Sequence, residues 1–483
     1  MNILVSGCTG YIGGRLVPRL LAAGHSVRCM ARDARRLEGR FTGAHTVAAD
    51  ALVPESLPAA LQGMDVAYYL IHSMGGRGKD FAARDLQAAA NFATAARAAG
   101  VQRIIYLGGL GNSDDRLSKH LRSRQDVGEQ LRKHGPAVTE FRAAMIIGSG
   151  SASFEMTRYL TERLPVMIAP KWVSTRSQPI AIGDVLDYLI QALDRPETRG
   201  RIYEIGGADV LSYREVMLRY ARLRGLKRRI IMVPFFTPQL SSYWVHLVTP
   251  IPAGIARPLI DGLHSEVVVR DDGAQRDFDV QSMPFNEAIL RAFDRSQSPG
   301  PESAWFDADD VRALPGDFHG VTQGMLVDRR ERKCFASPAD VFKILSGLGG
   351  NRGWLYADWL WSVRGIMDVV IGGVGLRRGR RSPLDLRVGD AVDFWRVDAL
   401  EPNRLLRLRA EMKLPGRAWL EFIVEPDEAG STLQMTAYFE PRGLLGQLYW
   451  YAVMPFHNMI FGGLANAIAH RAAGTRAELP VAS

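Results

Sequence analysis

Over the first 150 residues, short apolar runs alternate with longer stretches of helical periodicity. The apolar runs predict strands at 2–6, 26–31, 44–48, 65–71, 103–108 and 138–142. The stretches between them predict helices at 11–23, 55–62, 81–99 and 118–134. The third helix is rich in alanine and stops at Gly100, as a good helix former followed by glycine should. Strand and helix in alternation, joined by short loops, predict an α/β fold built on a doubly wound parallel sheet.

The pattern then changes. Residues 151–295 are a mixed continuation punctuated by proline, with a helix expected after the N-cap Ser212. Segment 296–318 concentrates Ser, Pro, Gly and Asp and marks a boundary. The expected organisation is an α/β domain at 1–295, a linker at 296–318, an α+β domain at 319–472 and a tail at 473–483. In the later domain, polar–apolar alternation predicts antiparallel strands near 325–334, 391–398, 403–412, 417–425 and 431–440, followed by a long helix at 443–470. Residues 360–376 are apolar apart from Arg364 and Asp368, and read as core or pocket wall. The final helix has no formally charged side chain from 443 to 469, a length that could span a bilayer. Gln447, Pro455, His457, Asn458 and Asn466 interrupt it, so a place in the groove of a curved sheet is expected. Peripheral membrane contact is the second reading.

The first strand runs directly into Gly7-Cys-Thr-Gly10-Tyr-Ile-Gly13 and then a helix. Gly7 permits a sharp turn, Gly10 a close backbone approach to phosphate, and Gly13 close packing of helix on sheet. The helix N-terminus adds free N–H groups and partial positive charge. This is a cradle for a dinucleotide diphosphate, with Thr9, Tyr11 and Ile12 completing it. Arg32 follows the second strand, where a carboxylate would accept from the ribose hydroxyls of NAD and a guanidinium favours the 2′-phosphate of NADP. NADP(H) is therefore expected, while the adjacent Asp33 leaves NAD(H) open. Asp50, after the third strand, can accept from the adenine amino group or cap the next helix. Ile71 and His72, at the end of the fourth strand, and Gly108, at the end of the fifth, border the same crevice.

Composition adds little to this. Of 483 residues, 47% are hydrophobic and 23% charged, enough for two or three buried cores. Three scattered cysteines imply neither a metal site nor a disulfide framework, which fits a reducing cytoplasm. A strand at residues 2–6 leaves no expected signal peptide. The net charge of +9 permits anionic partners, but no basic motif interleaved with aromatics points to nucleic acid.

The glycine motif, Arg32, Asp50 and Arg103-Ile-Ile-Tyr-Leu-Gly-Gly109 resemble the atypical or extended short-chain dehydrogenase/reductases over residues 1–295. The likeness is nearest to NmrA-like proteins, to the NADPH-binding accessory subunit of respiratory complex I, and to bacterial proteins classed as nucleoside-diphosphate-sugar epimerases. Tyr69-Leu-Ile-His-Ser-Met74 and Pro170-Lys-Trp-Val173 carry the last of these likenesses. Residues 319–472 resemble the START-like, helix-grip domain that often follows, which implies an apolar ligand. Catalytic members of the superfamily have a serine after the fifth strand and Tyr-x-x-x-Lys on the next helix. Here the strand ends Gly108-Gly109 and the helix offers His120-x-x-x-Arg124 on one face. His120 is the candidate proton donor and Arg124 the candidate ribose ligand. Two functions follow: an oxidoreductase for a hydrophobic carbonyl, enone or quinone-like compound, or a non-catalytic NADP(H) sensor or assembly factor. In the second domain, Asp393, Arg396, Glu411, Arg417 and Glu421 are either pocket polar groups or outward salt pairs.

Overall fold

The computed structural model describes residues 1–33, 37, 40–71, 81–111, 117–233, 260–293, 317–322, 325–350, 353–370, 372–375 and 386–475. His72, most of the expected linker and residues 476–483 lie outside them. Contacts divide the chain into two compact units, Met1–Val311 and Arg312–Ser483.

The first unit opens with β1 (Asn2–Ser6), α1 (Gly13–Ala22), β2 (Ser26–Ala31), β3 (His45–Ala48), α2 (Leu57–Leu61), β4 (Val66–Tyr69), α3 (Phe81–Ala98), β5 (Arg103–Gly109), α4 (Lys119–His134) and β6 (Ala137–Ala143). Successive residues of each strand serve opposite faces. Ile3, Val5, Val27, Tyr68 and Leu107 pack under α1, while Leu4, Ala67, Tyr69, Ile104 and Tyr106 pack under α2, α3 and α4. Burial on both faces explains why these strands read as continuous apolar runs.

After β6 come β7 (Ile146–Ile147), α5 (Ala152–Arg163), β8 (Val166–Pro170), β9 (Arg176–Ser177), β10 (Ile180–Ala181), α6 (Ile182–Gln191), β11 (Ile202–Ile205), β12 (Leu211–Ser212), α7 (Tyr213–Leu223), β13 (Arg229–Val233), α8 (Gly273–Asp277) and α9 (Phe285–Phe293). β11 completes a seven-stranded sheet of order β11-β6-β5-β4-β1-β2-β3, parallel throughout. The remaining strands form three small pairs: β7 with β10, β9 with β12, and β8 with β13. Ser212 caps α7 in a reciprocal box with Glu215, as the sequence predicts. The far edge of the sheet depends on the later chain. Arg103 donates to the carbonyls of Ala192 and Arg195, Thr139 donates to the Thr198 carbonyl, and Phe278 packs on Phe141, Tyr188 and Tyr203.

The second unit contains β14 (Phe318–Thr322), β15 (Met325–Cys334), α10 (Pro338–Leu345), α11 (Asp358–Val370), β16 (Ala391–Val392), β17 (Trp395–Glu401), β18 (Leu405–Ala410), β19 (Gly416–Asp427), β20 (Gly430–Pro441) and α12 (Gly443–Thr475). Its sheet runs β14-β15-β20-β19-β18-β17-β16, antiparallel throughout. α12 lies along β15 and β20, as expected of a helix over a sheet. Among the described residues, no helix is long and apolar enough to cross a membrane.

The strand expected at 391–398 is broken by Asp393, which has a φ of +52°. Its carboxylate accepts from the Trp354 indole at 2.8 Å and the Gly350 amide at 3.1 Å, holding the chain in that conformation. Trp354, Trp361, Phe394 and Trp395 stack together in the core. Arg396 pairs with Glu411 across two strands, and Arg407 and Arg417 pair with Glu421 and Glu440. The sequence predicts core or pocket wall for 360–376; in α11, Trp361 and Asp368 are buried, but most of the large apolar side chains face outward.

Candidate nucleotide site

The strand order reverses between β1 and β4, and the crevice beyond their carboxyl ends is where an open α/β sheet binds ligands. The glycine turn sits there. Gly7 has a φ of +71°, and a Cβ on it would lie 2.5 Å from the Leu70 carbonyl oxygen. Ser6 closes the same seam, donating from its hydroxyl to the Tyr68 carbonyl at 2.8 Å. The Gly10 amide donates to the Gly7 carbonyl at 3.0 Å, making the turn. A Cβ on Gly13 would overlap the Gly7 carbonyl, so only glycine lets α1 start this close to the strand. No side chain caps α1 and no acidic residue sits in its first turn. Its N-terminal field therefore points at the turn without an internal anion.

The candidate residues surround this turn unevenly. Tyr11 lies under the Arg15 guanidinium, 4.2 Å from the ring centre, and its hydroxyl fills the space at Gly148. Arg15 donates to the Ser149 carbonyl at 2.9 Å, tying α1 to the segment after β7. Ile71 is half-buried beside the turn, and Arg32 is exposed just past β2. Asp50 accepts from the Leu52 amide at 3.0 Å through one oxygen, closing a local turn rather than capping the next helix.

The end of β5 is closed by α4. A Cβ on Gly108 would stand 3.2 Å from the Tyr106 ring, and one on Gly109 would stand 3.0 Å from Leu121. Arg124 donates to the Leu107 carbonyl, and its own carbonyl accepts from the Tyr106 hydroxyl at 2.8 Å. Gln125 reaches the Gly111 carbonyl at 2.6 Å. Arg124 is thus stapled to the strand end, with His120 half-buried one turn earlier. Burial holds the Tyr106 phenol above its ordinary range.

One buried feature escaped the sequence reading. Glu140 on β6 is fully buried and pairs with Arg132 and with Arg142, the latter at 2.7 Å. A Cβ on Gly128 would lie 2.5 Å from its carboxylate. That glycine, in the middle of a helix, was the available signal. Burial lowers the affinity of both arginines for their protons. Among the described residues, no group of His, Cys, Asp and Glu side chains is placed to hold a metal.

Comparison with known proteins agrees with this geometry. Residues 7–145 match the NAD(P)H-binding family. Residues 322–464 match a family described as Protein of unknown function (DUF2867). The chain is 27% identical over 248 residues to Photosystem II assembly factor Ycf39 of Cyanophora paradoxa, covering 50% of this chain and 74% of that one. It is 27% identical over 236 residues to NAD(P)H azoreductase of Xenophilus azovorans, covering 48% and 77%. In fold it is similar to Citrobacter sp. triphenylmethane reductase complexed with NADP(H), with 20% identity, a TM-score of 0.50 and coverage of 60% and 99%. Residues 7–145 of the first unit therefore match an NAD(P)H-binding domain set in a parallel, doubly wound sheet.

Proposed function

We propose that the chain binds NADP(H) through its first unit and reduces a hydrophobic carbonyl, enone or quinone-like acceptor. The observation that carries this reading is the turn at the β1–β4 switch point, where Gly7 and Gly13 leave no room for side chains beside the uncapped N-terminus of α1. In this reading the turn amides hold the diphosphate and Arg32 the 2′-phosphate, while Asp50 meets the adenine amino group. When bound, the reduced nicotinamide supplies the hydride. His120 donates the proton, and Arg124 fixes the strand end beneath it. The azoreductase among the relatives supports reductase chemistry. The second unit, a helix along an antiparallel sheet, would be a START-like module holding the apolar compound.

One observation favours a second reading, a non-catalytic NADP(H) sensor or assembly factor. Arg124 spends its guanidinium on the Leu107 carbonyl, and no Tyr-x-x-x-Lys stands on α4. A relative that is itself an assembly factor points the same way.

Fluorescence titration of wild type and Arg32→Ala with NADPH and NADH tests the first step. NADPH should bind about tenfold more tightly, and the substitution should erase the difference. Screening NADPH oxidation against quinones and enones tests the second step. Turnover that falls in His120→Ala supports the reductase, and binding without turnover of any acceptor favours the sensor. Failure to bind either nucleotide removes both.

A further inference from the structure

The second unit carries a helix with its amphipathic character reversed. On α11, Arg364 and Asp368 face the protein. Arg364 donates to the Tyr449 hydroxyl at 2.6 Å. Asp368 is buried and accepts from the Gly375 and Lys413 amides at 2.9 and 2.7 Å. The opposite face presents Trp359, Val363, Ile366, Met367 and Val370 at helical spacing. Ile366 and Met367 are each 64% exposed and Val370 80%.

The first half of α12 extends this surface with Leu445, Leu448, Tyr451 and Phe456, and Leu445 is 74% exposed. The two helices run antiparallel. Tyr356, just before α11, packs on Gly463, while Arg364 meets Tyr449. The end of α11 therefore lies beside the start of α12, so Val370 and Leu445 belong to one tip. The exposed apolar area is on the order of 1,000 Å², beyond the few hundred expected on a soluble monomer.

Among the described residues, the exposed charge around this tip has one sign. α12 contains no Asp or Glu. On α11, Asp358 accepts from the Trp354 amide at 3.0 Å, in the first turn at the far end, and Asp368 is buried. Arg442 is exposed immediately before α12, and the Lys413 ammonium lies against Gly372 just past α11.

We infer that this tip seats on an anionic phospholipid bilayer. α11 and α12 lie in the interface, their aliphatic faces toward the acyl chains and Arg442 and Lys413 at the headgroup phosphates. A broad apolar surface with cations at its described border is the pattern of interfacial helices. Neither helix is long and apolar enough to cross the membrane, so the chain rests on the surface. A protein partner would normally answer the cations with carboxylates and bring polar groups into the contact.

The test is sedimentation of the full-length protein with vesicles of phosphatidylcholine, with or without phosphatidylglycerol. Wild type should co-sediment with the anionic vesicles and be released by salt. The double substitution Val370→Glu/Leu445→Glu should weaken partitioning at least about tenfold while leaving the circular dichroism and thermal midpoint unchanged. Should that variant fail to fold, the milder Ile366→Asn takes its place with a smaller loss. No sedimentation with either vesicle overturns the inference, as does binding that the variants leave intact. A dimer seen by light scattering, dissociated by the same substitutions and indifferent to vesicles, would assign the surface to a second copy instead.

Discussion

Gly7 occupies a position where two constraints coincide, a left-handed backbone and a neighbouring carbonyl at 2.5 Å from any added Cβ. Gly24 shares the first constraint, with a φ of +81°, but has nothing within 4 Å. Gly7→Ala should therefore cost about 2–4 kcal/mol and abolish nucleotide binding. Gly24→Ala should cost about 1 kcal/mol and leave binding unchanged. Urea unfolding with a parallel NADPH titration separates the two. Glu140 sets a second test at this scale. Glu140→Gln leaves the half-buried Arg132 and Arg142 around a neutral amide and should lower stability by about 2 kcal/mol, read from the urea midpoint. The glycines were legible from spacing because their role is fixed by local chain geometry. Glu140 was not, since a carboxylate on an apolar strand reveals nothing of the arginines that a distant helix brings to it.

At the scale of elements, the strands and helices of the parallel sheet follow the sequence pattern closely, because burial on both faces makes each strand a continuous apolar run. α11 shows where that reasoning stops. Hydrophobicity and period predict a helix, but they do not say which of its faces meets the protein. In a segment expected as core or pocket wall, Arg364 and Asp368 are the groups that hold the helix. α12 carries a pH dependence of its own. His457 is buried against Trp450 and Phe461, and burial, then the Arg364 and Arg330 cations, push its imidazole down to about 3 from 6.5. The unfolded chain takes up this proton below pH 6.5, but the folded chain does so only near 3. His457 thus contributes no loss above pH 6.5 and a growing one as pH falls toward 3. Thermal midpoints measured across that interval should drop in wild type and flatten in His457→Phe. The cap of α7 is a simpler case, where Ser212→Ala should cost about 1 kcal/mol by urea unfolding.

At the scale of the molecule, the division into Met1–Val311 and Arg312–Ser483 accommodates both family matches, one in each unit. The division between 311 and 312 falls within the segment expected as a linker, and β14 begins at Phe318. The contributions of 151–293 to the first sheet were not legible, because they come from side chains reaching carbonyls far along the chain. Their consequence reaches beyond this protein's own stability. A cassette cut after residue 145 would keep every glycine of the β1–α1 turn yet strand Arg103 and Thr139 without the acceptors at Ala192, Arg195 and Thr198. It would also expose Phe141 where Phe278 now covers it. Transplanting the nucleotide site into another scaffold therefore requires the chain to run on at least through Phe278, and anything shorter should emerge from the ribosome as insoluble aggregate.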